Sequence, residues 1–76
     1  MNEFFEIGDL VRLKDSYDKA RQLGFVVGIS PRSVHVKSQG VTQVVQVYWP
    51  QLDDYDWEYS FFIEKIDNDD LTEDDQ

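Results

Sequence analysis

The chain has 76 residues, 16 acids against 7 bases, and a net charge of −9. A chain this short buries only about 60% of the surface its unfolded form exposes, which excludes a second core and a deep enclosed active site. It has no cysteine, which excludes a disulfide framework and a thiolate metal site and suits a reducing cytosol.

Met1–Glu6 offers neither a basic start nor an apolar run, so no signal peptide is expected. No window approaches the roughly 18 apolar residues of a membrane span, and a cytoplasmic protein is the expectation. The charge is uneven. Residues 67–76 carry six acids and no base, while Leu10 to Leu52 holds six bases (Arg12, Lys14, Lys19, Arg21, Arg32, Lys37) against Asp15 and Asp18. The middle is basic and both ends are acidic.

In chain order, Leu10 to Leu13 reads as a first strand, entered through Gly8-Asp9. Lys14 to Leu23 is polar and forms a long loop or a single helical turn, because Asp15, Ser16 and Asp18 favour turns. Gly24 to Ser30 is rich in β-branched and aromatic residues and predicts strand two. Gly24 and Gly28 there read as a strand start and a bend or bulge. Pro31 cannot donate to a ladder and belongs in the following turn or at an edge. Val34 and Val36 alternate with His35 and Lys37 in a short strand three, and Ser38-Gln39-Gly40 is the next turn.

Thr42 to Trp49 is the strongest strand signal, with Val45, Val47 and Trp49 on one face, assigned to the core. Pro50 stops it, and Gln51 to Tyr59 reads as a polar, aromatic loop. Ser60 to Ile66 closes the fold as strand five, entered directly or through one helical turn. After Ile66 only Leu71 is apolar, so 67–76 is expected to be a disordered acidic tail on a single domain over 1–66. Five short strands with frequent turn signals predict an all-β fold. At this length a small bent barrel fits better than an immunoglobulin-type sandwich, and closure would remove most exposed strand edges.

Gly8-Asp9-Leu10-Val11-Arg12, Gly24-Phe25-Val26, Val45-Gln46-Val47-Tyr48-Trp49 and Phe62-Ile63-Glu64-Lys65-Ile66 together resemble an SH3-like small β-barrel over residues 4 to 66. In order they are similar to KOW-type domains and to the small barrel subunit of photosystem I. They also resemble uncharacterised small proteins of tailed phages, including those infecting cyanobacteria. The resemblance implies a five-stranded barrel and leaves the role open, because this fold hosts many unrelated functions. The paired tyrosines and acidic loop of proline-peptide-binding SH3 domains are not matched, since residues 14–23 hold more bases than acids.

The inventory for catalysis is thin. His35 is the only histidine. Ser33 shares its strand face, but proximity at that spacing is what a solvent-facing strand gives anyway. Gly24-Phe25-Val26-Val27-Gly28 lacks the Lys-Ser/Thr and the helix of a phosphate loop. Asp53-Asp54-Tyr55-Asp56-Trp57-Glu58 hints at a calcium loop without its central glycine or its closing bidentate glutamate. No enzyme activity, metal or cofactor is expected.

Two surfaces remain for binding. The basic middle, with Tyr17, suggests phosphate contact, but a net charge of −9 opposes the counterion release that drives nucleic-acid binding. The aromatic and acidic segment Asp53, Asp54, Tyr55, Asp56, Trp57, Glu58 and Tyr59 combines interface-prone rings with carboxylates that steer toward basic partners. Trp57, set between Asp56 and Glu58, is expected either to help close the barrel or to stand exposed as a binding anchor. The first expectation is therefore a non-enzymatic protein-interaction module, a phage accessory protein if the likeness extends to origin, docking on a basic surface of a protein partner. The alternatives are an acidic nucleic-acid mimic and a weakly nucleic-acid-binding barrel. The sequence leaves the oligomeric state open.

Overall fold

The computed structural model describes residues 4–66; the acidic tail expected over 67–76 lies outside the described residues. The fold is mostly β. Seven strands form: β1 (Leu10–Leu13), β2 (Gly24–Ile29), β3 (Val34–Val36), β4 (Gly40–Thr42), β5 (Val44–Trp49), β6 (Asp54–Tyr59) and β7 (Ile63–Lys65). Two 3₁₀ turns, Lys19–Arg21 and Ser60–Phe62, lie before β2 and β7. Five strands make an antiparallel sheet in the order β6-β5-β2-β1-β7, and β3 and β4 form a separate two-stranded sheet. No helix among the described residues is long and apolar enough to cross a membrane.

Three expectations are corrected. The strand expected over Thr42 to Trp49 is broken at Gln43, where β4 ends and β5 begins. Gln43 uses its side chain as a substitute ladder. Its Oε1 accepts the Phe5 N–H at 2.8 Å and its Nε2 donates to the Phe5 carbonyl at 3.0 Å. Its own backbone carbonyl accepts the Ser60 N–H at 2.9 Å. The residue thus ties three distant segments together as the chain leaves β3 and joins β2 and β6.

The segment expected as a loop over Gln51 to Tyr59 contains β6, which pairs along its whole length with β5. The turn between them is short: Leu52 N–H donates to the Trp49 carbonyl at 3.0 Å and Asp53 N–H to that of Pro50 at 3.1 Å. Asp53 takes the left-handed conformation there, φ 51°, which aspartate tolerates better than most residues.

The third correction concerns closure. β6 and β7 are the two edges of the sheet, and no pairing joins them among the described residues. Yet only the Ser60–Phe62 turn separates them in sequence. Four strand spacings in a flat sheet span about 19 Å, whereas a short 3₁₀ segment rises only about 2 Å per residue. The sheet must therefore curl to bring β7 beside β1, and Lys14 N–H bonds the Phe62 carbonyl at 2.8 Å to hold that corner. Curling without edge-to-edge bonding leaves an open sheet, not a closed barrel.

The core lies on one face of the sheet. Phe5, Val11, Val26, Val45, Val47, Trp49 and Ile63 are buried, with Leu13 packed against them. The alternation read from Val45, Val47 and Trp49 holds in the structure. Gly24 is required by close approach, since a Cβ there would stand 2.7 Å from the Trp49 ring and from Val47. The bulge expected near Gly28 is present as a register shift between Val26 and Gly28. The Trp49 indole N–H is buried without a hydrogen-bond partner among the described residues. Such a donor costs about 1–3 kcal/mol, set against the large apolar area that a buried indole removes from water.

Candidate functional site

β6 carries six of the seven residues singled out from the sequence, and its register sorts them. Pairing Val45 with Glu58, Val47 with Asp56 and Trp49 with Asp54 puts the three carboxylates on the core side of the sheet. Pairing Val44 with Tyr59, Gln46 with Trp57 and Tyr48 with Tyr55 puts the three rings on the outer side. The seventh residue, Asp53, sits in the preceding turn, where its Oδ1 accepts the Tyr48 hydroxyl at 2.9 Å. Trp57 is not buried in the fold: Tyr55 and Trp57 are each more than half exposed, at 56% and 55%.

The rings continue beyond β6. Tyr48 and Tyr55 lie 4.8 Å apart, Tyr59 stacks nearly parallel on Phe61 at 5.5 Å, and Phe61 meets Phe62 at 4.5 Å. A hollow of about 370 Å³ opens beside them, lined by Arg32 and Val34, by Val44, and by Trp57, Glu58 and Tyr59. Sequence reasoning did not join Phe61 and Phe62 to this surface, because it read Gln51–Tyr59 and the closing strand as separate units.

Of the three carboxylates on the acidic side of β6, only Asp56 is paired with a cation among the described residues, Arg21. Asp18 caps the first 3₁₀ turn by accepting the Ala20 N–H, and this turn presents Arg21. The Arg21 guanidinium bonds Asp18 at 2.6 Å and reaches Asp56 at 3.4 Å, so its pKa is raised by the Asp18 bond first and by Asp56 as well. Glu58 makes no ion pair among the described residues. Burial pushes its carboxyl above the ordinary glutamate value; the Asp56 charge adds to this and Arg21 partly opposes it. The Tyr48 hydroxyl is likewise pushed up, chiefly by its bond to the Asp53 carboxylate.

The basic middle is partly neutralised by the protein's own acids. Arg12 pairs with Glu64 at 2.7 Å and Arg21 with Asp18 and Asp56, so two of the six cations are already answered by acids. Tyr17 is fully exposed. His35 stands exposed on β3, opposite Val41. Among the described residues, no group of three or more histidine, cysteine, aspartate or glutamate side chains converges as a metal site would require. Alternation along β6 and the turn at Asp53 spread the carboxylates instead. Compared with protein-family models, with curated proteins and with solved structures, the chain finds no match.

Proposed function

We propose that this chain is a non-enzymatic protein-interaction module that docks on a basic surface of a partner protein through Asp53–Tyr59. The observation that carries the reading is the sorting on β6: three exposed rings on one face, three carboxylates on the other, at an open sheet edge. Rings supply desolvated contact area and carboxylates select for basic partners. The scaffold in this proposal is an incompletely closed SH3-like barrel. Its support is the order of a β1-β2-β5-β6 meander, interrupted by the β3–β4 hairpin, with β7 returning through a 3₁₀ turn to pair with β1. The likeness to small tailed-phage proteins extends the proposal to an accessory role on host or phage machinery.

Site-specific crosslinking tests it. A photoreactive residue is placed at Trp57 in one variant and at Tyr17 in another. Tyr17 is the control, an exposed aromatic outside the strands. The proposal expects a discrete protein captured from position 57, absent from position 17 and lost at high salt. Identical capture from both positions, or none from 57, overturns it.

A further inference from the structure

We infer that β6 accepts an extended basic segment of the partner as an added sheet strand; this deepens the interaction reading above and rests on it. The inference comes from the parity of the β5–β6 ladder. Ser60 N–H donates to the Gln43 carbonyl. With the register fixed at Val44 opposite Tyr59, alternation makes Val45–Glu58, Val47–Asp56 and Trp49–Asp54 the hydrogen-bonded pairs. The backbone groups of Tyr55, Trp57 and Tyr59 therefore point away from the sheet.

Two of those groups are already engaged. The Tyr55 N–H is held by its neighbour Asp54 at 2.9 Å, and Tyr59 caps the Ser60–Phe62 turn. The N–H and C=O of Trp57, the C=O of Tyr55 and the N–H of Tyr59 are left facing outward. They are spaced as an antiparallel strand centred on Trp57 would need them.

The side chains choose the occupant. Residues directly opposite in a sheet share a face, so an incoming residue facing Asp54, Asp56 or Glu58 meets a carboxylate, and one facing Tyr55, Trp57 or Tyr59 meets a ring. The segment that fits alternates lysine or arginine with apolar residues. A second copy of this chain does not fit. Pairing β6 with β6 sets carboxylates against carboxylates on one face, and like charges directly opposite destabilise a sheet. Carboxylates on the core side of an edge strand also guard it against indiscriminate pairing. A basic strand is the one that turns this guard into an attraction.

The mode is that of strand addition, in which main-chain bonds give affinity and alternate side chains give specificity. It makes an unusual demand on the ligand: the amides that bond β6 belong to the apolar residues, because those stand opposite Tyr55, Trp57 and Tyr59. The test titrates the full chain at low ionic strength with Ac-Lys-Val-Lys-Val-Lys-Val-Lys-NH₂ and with two copies of it. One copy is N-methylated on the three valines and the other on the internal lysines. Valine methylation is expected to weaken binding at least tenfold, and lysine methylation less than threefold.

Equal binding of all three peptides overturns strand addition while leaving a basic-partner interaction standing. No binding by the unmethylated peptide overturns strand addition whatever the crosslinking gives. Failure of crosslinking at position 57 is the separate result that removes the interaction reading itself.

Discussion

β5 and β6 are neighbouring six-residue strands, and they differ most where they are closest. On the core side β5 presents Val45, Val47 and Trp49, all fully buried, while the residues opposite them on β6 are Glu58, Asp56 and Asp54. One strand spacing of about 4.8 Å takes the same sheet face from a sealed apolar core to a row of carboxylates. β5 has neighbours on both sides and carries stability. β6 has one neighbour and an open side, and its composition is what an edge needs if it is to refuse most strands.

The largest expected effect lies on β5. Trp49→Ala removes the largest fully buried side chain and should cost about 3–5 kcal/mol, read as a lower urea midpoint. A loss smaller than about 1 kcal/mol would mean that the core is not centred there. Trp57→Ala, directly across the strand boundary from Gln46, should change stability by less than about 1 kcal/mol while weakening binding of the alternating lysine–valine peptide. Unfolding of that variant would move Trp57 from the binding edge into the fold.

Glu58 sharpens the contrast through pH. Its carboxyl is pushed up by burial and by Asp56, so the folded state holds its proton more tightly than the unfolded state does. Stability is then lost as pH rises from the ordinary glutamate value through the raised one. Glu58→Gln should be the more stable protein at neutral pH, with the advantage disappearing in acid below the ordinary glutamate range. Chemical denaturation at the two pH values checks this, and a pH-independent difference would contradict it. At neutral pH, Glu58 thus works against the fold from an edge position where the proposed ligand supplies a cation.

The comparison also shows what the sequence made legible. Strands β1, β2 and β5 could be read because they are short apolar runs bounded by turn signals, with period-two alternation clear in Val45, Val47 and Trp49 of β5. β6 has the same period, Asp-Tyr-Asp-Trp-Glu-Tyr. Its core-side positions are carboxylates, however, and aspartate is depleted in strands, so the segment resembled a loop. The break at Gln43 depends on Phe5, 38 residues away, and no local window contains both. The missing closure depends on how far the sheet curls, which is a property of all five strands together. The seven candidate residues were legible by type; their division between two faces and the outward backbone of Tyr55, Trp57 and Tyr59 required the register.

Amide hydrogen exchange, residue by residue, tests the open edge most directly. In the free protein the N–H groups of Trp57 and Tyr59 should exchange rapidly while those of Asp56 and Glu58, bonded to β5, are protected. Addition of the alternating lysine–valine peptide should slow Trp57 and Tyr59 and leave Asp56 and Glu58 unchanged. Trp57 and Tyr59 already as protected as Glu58 in the free protein, or unaffected by bound peptide, would contradict a strand-accepting edge at β6.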